Sequence, residues 1–196
     1  MIDRRKLLKI GSAAGFFGVG VANNAFAANL FEDPKEIPQL PIDFMNYEPE
    51  IRRANLYNLH TGENIDLVYK EKGVLINDAF VEVNKVLRDF RNDQTCEMDV
   101  KLLDLLDDLS SKLEVKSAFN VISGYRSPAT NSMLAEKSNG VAKGSLHMQG
   151  KAIDIRVPGV ALKHLRNVAK EMRNGGVGYY ASSNFVHVDT GRVRYW

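Results

Sequence analysis

The sequence contains few of the features that mark a specialised class of protein. One cysteine, Cys96, in 196 residues excludes an internal disulfide framework and a metal cluster built on cysteine. There is no internal repeat and no low-complexity tract, and 44% hydrophobic with 26% charged residues is typical of a globular chain. What is left is an ordinary folded protein, long enough for one sizeable core.

An excess of charge of one sign is also missing. The formal net charge is +2, and Arg4, Arg5, Lys6 and Lys9 against Asp3 concentrate the positive charge at the start of the chain. The remainder is close to neutral and lacks the basic patch that a nucleic-acid binder needs. We therefore expect no nucleic-acid partner.

Residues 1–27 have the pattern of an export signal. Paired arginines, Arg4 and Arg5, precede an apolar run rich in glycine and alanine, and AFA at 25–27 offers the small residues that a signal peptidase accepts. The arginine pair and the residues around it are similar to a twin-arginine signal, which predicts a periplasmic or secreted bacterial protein. The apolar run is short for a spanning helix, so we expect no stable membrane span after processing, with an uncleaved anchor as the alternative.

Residues 28–48 differ from the rest of the chain. They hold Pro34, Pro38 and Pro41 with little apolar periodicity, which predicts an extended N-terminal arm. Residues 49–196 alternate strand and helix patterns without a second boundary. We therefore expect one folded domain over 49–196.

A two-residue apolar period predicts the strands of this domain. Alternation on both sides of Thr61-Gly62-Glu63-Asn64 indicates a hairpin with a glycine-containing turn. Further strands are predicted at 119–122, 152–156, 177–180, 185–189 and 192–196. The last three are expected to form a run of short antiparallel strands.

Apolar residues at helical spacing predict helices between the strands. One is expected from Ile76 to Phe90, capped by Asn77 or Gly73, and a second after Asp99, a good N-cap residue. Two more are expected, one opening at Pro128 and one over 160–176 that stops at Gly175-Gly176. The fold class is α+β, with a small, mainly antiparallel sheet and helices packed on one side.

The stretch SLHMQGKAIDI, residues 145–155, places an acid in a predicted strand. Ile153 and Ile155 are expected to face the core, and Asp154 the opposite side. His147 lies in the glycine-containing loop that leads into this strand. An acid on a strand beside a loop histidine is either a surface accident or part of a site.

A second stretch, FVHVDTG at 185–191, supports the interpretation that His147 and Asp154 are part of a site. His187 and Asp189 share one face of their predicted strand, so two neighbouring strands can offer polar groups from one side of a sheet. Together with His147 and Asp154, they offer two imidazoles and carboxylates without a thiolate. Such a set suits Zn²⁺ bound through three protein ligands, with water in the fourth position, as in catalytic sites.

The other histidines and the cysteine are expected to lie outside this site. His60 falls in a turn and His164 on the polar side of a helix, so both are interpreted as exposed or capping residues. Cys96 lies in a polar loop without a histidine nearby in the sequence, which argues against a nucleophile.

Three motifs in this order, SGYRSP, SLHMQGKAIDI and FVHVDTGRVRYW, carry a family resemblance. The chain resembles the zinc peptidases that include D-Ala-D-Ala carboxypeptidases, VanX-type dipeptidases and the hedgehog signalling domain. Among them it looks most like the twin-arginine-exported murein endopeptidases of Gram-negative bacteria, the murein endopeptidase K type. The likeness runs from about residue 52 to the end of the sequence and implies a hedgehog/D-Ala-D-Ala peptidase-like fold.

The resemblance implies roles for individual residues. His147, Asp154 and His187 match the ligands of one zinc ion. Arg126 matches an arginine that lies over the metal, where its fixed donors can grip a substrate carboxylate or an oxyanion. Ser145 is expected to shape the ligand loop or to form a hydrogen bond near the metal, and not to act as a nucleophile.

The general base is where the sequence departs from the family. Many relatives carry an acid three residues before the last histidine ligand, or a histidine two before it, and Asn184 and Phe185 stand there. Asp189 is the candidate base, because it shares the strand face with His187. Its alternative role is to accept a hydrogen bond from a ligand imidazole and fix its tautomer.

The implied function is that of a zinc-dependent murein endopeptidase, a monomer that hydrolyses peptide cross-links of peptidoglycan during cell-wall growth. A related family activity cleaves links between two diaminopimelate residues. Two alternatives stay open: a catalytically inactive zinc-containing peptidoglycan-binding module, and a D-Ala-D-Ala carboxypeptidase. The first is motivated by the missing upstream acid.

Overall fold

The computed structural model describes residues 50–137, 142 and 144–196. The predicted signal segment, 1–27, and the predicted arm, 28–48, lie outside the described residues, so the proposed domain boundaries stay predictions. None of the helices in the described ranges is long and apolar enough to cross a membrane.

Eight strands of the described residues form one sheet. They are β1 Ile51–Asn58, β2 Asn64–Glu71, β3 Val74–Leu75, β4 Phe119–Ser123, β5 Ala152–Arg156, β6 Gly176–Tyr180, β7 Phe185–Asp189 and β8 Arg194–Tyr195. Their order is β3-β2-β1-β4-β5-β7-β6-β8. Neighbouring strands are antiparallel except β1–β4 and β6–β8, which confirms the mainly antiparallel sheet.

One strand prediction is wrong in direction. The last strand, β8, was expected to continue the antiparallel run, but it pairs parallel to β6. The reason is that β7 already pairs with β5 on one side and with β6 on the other. β8 therefore pairs with the free edge of β6. Because β8 and β6 both run opposite to β7, the two strands are parallel.

Four α-helices of the described residues accompany the sheet. They are α1 Asn77–Val86, α2 Val100–Lys112, α3 Pro128–Lys137 and α4 Leu162–Met172. Apolar residues of α1, α2 and α4 join the strands in one core, so the expected packing of helices on one side is confirmed for these three. The cap of α2 is also as predicted, since Asp99 accepts a hydrogen bond from the Lys101 amide at 3.0 Å.

Two helices end earlier than their apolar spacing predicts. α1 stops at Val86, short of Phe90, because the Asp89 amide bonds to the Gln94 carbonyl and starts a separate turn. Its N-cap is Ile76, without a side-chain cap, so neither predicted capping residue serves. α4 ends at Met172, because the C-cap residue Arg173 takes a left-handed conformation before the two glycines.

The period of β5 and β7 fixes which face meets the core. Ile153, Ile155, Val186 and Val188 are fully buried against the helices. Because side chains alternate along a strand, the residues between them point to the opposite face. That face carries the polar side chains of interest.

Candidate metal centre

Strand pairing brings two of the predicted site residues side by side. β5 and β7 pair antiparallel with Asp154 opposite His187 and Ala152 opposite Asp189. A directly opposed pair on one face has neighbouring side chains. The Asp154 Oδ1 and His187 Nδ1 atoms are accordingly 2.9 Å apart.

A tight turn delivers the third residue. His147 lies in a 3₁₀ turn, Leu146–Gln149, whose N-cap Ser145 accepts from the His147 amide at 3.4 Å. Gly150 closes the turn at φ +66°, where a Cβ would lie 2.6 Å from the Glu97 carbonyl oxygen. Only glycine fits that left-handed, crowded position, so the turn depends on it.

The three side chains place one donor atom each around a common point. His147 Nε2 is 3.2 Å from His187 Nδ1 and 3.3 Å from Asp154 Oδ1. All three residues are buried, and their donor atoms can hold one metal ion. His147, Asp154 and His187 are thus brought together as the sequence predicts.

The outer ring nitrogens determine what the inner ones offer. His147 Nδ1 lies 2.7 Å from the Gly124 carbonyl oxygen, which can only accept, so Nδ1 carries the proton. His187 Nε2 lies 3.0 Å from the Asp189 carboxylate and carries its proton for the same reason. With these outer nitrogens protonated, the lone pairs of both inner nitrogens would point at a cation bound between them.

Asp189 is fully buried, and both of its oxygens are engaged. Oδ1 accepts from the Gly176 and Gly191 amides at 3.1 and 2.8 Å and from Arg194 at 3.0 Å. Oδ2 accepts from His187 and from Arg194, the latter at 2.7 Å. Burial raises the pKa of Asp189, but these hydrogen bonds outweigh it and keep the pKa well below its usual range.

The pKa shifts of Asp154 and His187 favour a negative carboxylate beside positive charge. Burial raises the pKa of Asp154, but the two imidazoles lower it well below its usual range. Burial lowers the pKa of His187, but its hydrogen bonds with Asp154 and Asp189 outweigh burial and raise it. The pair therefore attracts positive charge to the point between the donors.

Arg126 lies at the edge of this group with donors to spare. Its Nη2 is 3.3 Å from Ser123 Oγ and 3.7 Å from Asp154 Oδ2, and its Nη1 is 3.4 Å from Asn131 Oδ1. Its Nε is buried and has no hydrogen-bond partner among the described residues. Burial lowers the pKa of Arg126, and Asp154 opposes that effect.

The loop that carries Arg126 is held by three successive backbone amides. The Tyr125 amide donates to the Leu87 carbonyl at 2.7 Å, and the Arg126 amide to the His147 carbonyl at 3.2 Å. The Ser127 amide donates to Asp89 Oδ2 at 2.9 Å. One of these three bonds joins the loop of Arg126 directly to the turn that carries His147.

A cleft of about 310 Å³ opens over the donors. Its lining also includes Arg126, Tyr180, Phe185, Arg194 and Trp196. A larger groove of about 610 Å³ lies between β1 and α2, but none of the predicted site residues lines it. The chemistry of the described residues is therefore concentrated in the smaller cleft.

Sequence reasoning missed Arg194, Tyr180 and Trp196 as parts of this region. No local signal identifies them, because each reaches the cleft through the pairing of β6 with β7 and β8. The residues set aside as unrelated do lie elsewhere. His60 is exposed and stacks on Phe90, His164 is exposed on α4, and Cys96 contacts its own loop.

An α+β domain with buried His, Asp and His donors under an open cleft has the form of a metallopeptidase. The sequence profile described as peptidoglycan L,D-endopeptidase MepK matches residues 46–196. The chain belongs to this family. It is 38% identical over 194 residues to peptidoglycan L,D-endopeptidase MepK of Escherichia coli K12, covering 99% of this chain and 97% of that protein.

A more distant relative agrees. The Haemophilus influenzae protein named "Probable peptidoglycan L,D-endopeptidase MepK" is 35% identical over 195 residues, covering 99% of this chain and 95% of that protein. The likeness spans nearly the full length of both chains, and the family match at 46–196 covers the positions of the metal-binding group. The resemblance drawn from the three motifs is confirmed at the level of the family.

Proposed function

We propose that this protein is a zinc-dependent peptidoglycan endopeptidase that hydrolyses L,D peptide cross-links. The observation that carries the proposal is the convergence of His147 Nε2, Asp154 Oδ1 and His187 Nδ1 within 3.3 Å of one another. Membership of the MepK family and the printed names of the relatives supply the substrate class.

His147, Asp154 and His187 would hold the ion. Two imidazoles and one carboxylate, with no thiolate, are a donor set typical of catalytic zinc, and the cleft leaves the site open on one side. When bound, zinc supplies Lewis-acid polarisation of the scissile carbonyl and activates water.

Arg126 would bind the substrate. Arg126 lines the cleft, and its Nη atoms make only long hydrogen bonds, to Asn131 and Ser123. A guanidinium there can grip a substrate carboxylate or stabilise the negative charge that develops on the scissile carbonyl oxygen. The fixed loop keeps those donors in place before substrate arrives.

Asp189 would position His187 and not accept the proton from water. Five hydrogen bonds occupy its oxygens, and its side chain is fully buried behind the imidazole. These contacts support the alternative role, in which Asp189 accepts a hydrogen bond from His187 and fixes its tautomer, over the role of general base. Asp154 is the only carboxylate among the described residues that line the cleft, so the base stays unassigned.

The site of action follows from the substrate. Peptidoglycan lies outside the cytoplasmic membrane, and the pattern of residues 1–27 fits export to the periplasm by the twin-arginine pathway. One chain carries every residue of the proposed site, so a monomer is sufficient for activity.

Defined cross-linked muropeptides test the proposal. The mature protein is incubated with dimers linked through L,D bonds or through D,D bonds, with and without EDTA, and the products are identified by mass spectrometry. We expect two monomers from the L,D dimer, no cleavage with EDTA, and recovery on addition of zinc. Release of free D-alanine would instead identify a carboxypeptidase, and zinc-dependent binding without cleavage a binding module; either result overturns the proposal.

A further inference from the structure

Tyr180 is a hydroxyl-bearing side chain in the cleft that the proposed roles leave unused. It ends β6, pairs directly with Phe185 on β7, and lines the same cleft as Arg126 and His187. Its ring stacks on Phe185 with centroids 4.6 Å apart and an interplanar angle of 19°. The stack fixes the plane of the ring and hence the position of its oxygen.

Trp196 determines how that oxygen can act. The Trp196 indole Nε1 donates a hydrogen bond to the Tyr180 hydroxyl oxygen at 2.8 Å. An indole N–H is a donor only, so the phenol oxygen is the acceptor and its own hydrogen must point elsewhere. No described residue accepts that hydrogen, which leaves the hydroxyl free to donate to a molecule in the cleft.

Trp196 is itself held in place next to the metal-binding group. Its amide donates to the Val177 carbonyl at 3.2 Å, and its carbonyl accepts from the Tyr179 amide at 3.0 Å. Its ring centroid is 5.3 Å from that of His187. The indole crosses Gly178, where a Cβ would lie 2.6 Å from the ring, so only glycine leaves room for it.

We infer that the Tyr180 hydroxyl, oriented by the Trp196 indole, donates a hydrogen bond to the substrate carbonyl oxygen as that oxygen gains negative charge. The inference rests on the proposed hydrolysis and adds a neutral donor to the cationic Arg126. No proton changes owner in this contact: the O–H bond of Tyr180 stays intact while the hydrogen bond strengthens. Preorganised donors of this kind act mainly on the transition state.

Replacing Tyr180 by phenylalanine removes the donor and keeps the ring stack. For Tyr180→Phe we expect kcat on the L,D-linked dimer to fall about 100-fold, with KM unchanged within about two-fold. Zinc content and the zinc affinity of the apoprotein stay as in the wild type, because Tyr180 does not contact the three donors. The matched control is Tyr57→Phe, which removes an exposed phenol on β1 and keeps full activity.

Trp196→Phe tests whether the two residues act as one unit. Loss of the indole N–H releases the phenol, so kcat falls, by less than in Tyr180→Phe. The double variant is expected to be no slower than Tyr180→Phe alone, since residues that act together have non-additive effects. If the fold-losses in kcat of the two single variants multiplied in the double variant, the coupling between the indole and the phenol would be contradicted.

A binding measurement separates this inference from the proposed function. The probe is a phosphinate analogue of the L,D cross-link, which carries tetrahedral, negatively charged oxygens, and its affinity for the zinc-loaded protein is measured by calorimetry. Tyr180→Phe should weaken phosphinate binding by about the same factor as kcat. Unchanged phosphinate affinity in this variant overturns the role of Tyr180, whereas failure of the wild type to cleave the dimer overturns the proposed function on which that role rests.

Discussion

The Asp189 carboxylate lies 3.0 Å from Nε2 of His187, and this contact leaves Nδ1 as the nitrogen that faces Asp154. His147 is oriented differently, by the backbone carbonyl of Gly124 at 2.7 Å. One ligand orientation therefore depends on a replaceable side chain and the other on the main chain. A substitution at Asp189 can therefore change the orientation of the His187 ring while His187 itself is still present as a ligand.

Asp189→Asn should weaken metal binding more than catalysis. An amide can turn its NH₂ group towards His187 and reverse the ring tautomer, so we expect zinc affinity to fall about 10- to 100-fold. At saturating zinc, kcat should recover to within about ten-fold of the wild type. Chelator competition and kinetics at several zinc concentrations measure the two effects.

The same variant discriminates between the two roles of Asp189. A general base would lose its function on amidation, so normal zinc affinity with kcat abolished at saturating zinc would contradict the positioning role. Asp66→Asn, at an exposed carboxylate, is the matched control and should change neither quantity. Thermal unfolding of Asp189→Asn verifies that the protein is folded.

Removal of a single donor should remove the metal. For His147→Ala and His187→Ala we expect bound zinc to fall from about one ion per chain to near zero at micromolar zinc, because two donors cannot complete a zinc site. Elemental analysis after gel filtration gives the stoichiometry. His164→Ala removes an exposed histidine on α4 and should bind as much zinc as the wild type. Retention of zinc by His147→Ala would mean that the ligand set is wrong.

The period of the strands was sufficient to predict this face of the sheet. Alternation predicts Ile153 and Ile155 in the core and Asp154 on the opposite face, and the same rule predicts His187 on the polar face of its own strand. The pairing of β5 with β7 brings Asp154 and His187 together. Alternation is a local property of an extended chain, so the sequence alone carries it.

What the sequence did not predict depends on contacts between distant segments. The bidentate pair of Arg194 with Asp189 requires the turn after β7 to bring β8 to the free edge of β6. The contact of Trp196 with Tyr180 has the same origin. The early end of α1 results from the turn at Asp89. Such contacts are set by tertiary packing, which no window of the sequence encodes.

Asp89 should make the fold sensitive to acid. Burial raises its pKa, but hydrogen bonds from Thr130 and from the Ser127 side chain and amide outweigh burial and lower it. A carboxylate with a depressed pKa contributes stability that is complete above its unfolded pKa of about 3.9 and is lost as the pH falls through the folded value. The wild type should therefore lose stability below about pH 4.

Asp89→Asn tests that contribution. Its amide leaves the buried Ser127 amide with a poorer acceptor, so the free energy of unfolding at pH 7 should fall by about 1–3 kcal/mol. Below about pH 4 the difference from the wild type should narrow, because the wild-type carboxylate becomes protonated. Urea denaturation from pH 7 to pH 3 measures both, with the exposed Glu71→Gln as control. A constant difference at every pH would contradict the assignment to Asp89.

Arg126→Lys should impair hydrolysis without disturbing the metal. Lysine keeps the charge but cannot reproduce the planar set of donors, so we expect kcat/KM on the L,D-linked dimer to fall about 10²- to 10³-fold. Zinc affinity should stay unchanged, since lysine keeps the positive charge and the Arg126 guanidinium lies 3.7 Å from Asp154 Oδ2, not from the Oδ1 atom that faces the two imidazoles. Arg53→Lys, an exposed arginine paired with Asp66, is the matched control.

The kinetic parameter that changes identifies what Arg126 binds. If the guanidinium stabilises the developing oxyanion, the loss lies in kcat and persists with a dimer whose free carboxylates are amidated. If it grips a substrate carboxylate, the loss lies in KM, and the amidated dimer binds equally weakly to both proteins. Activity within about two-fold of the wild type on both dimers would exclude Arg126 from the site.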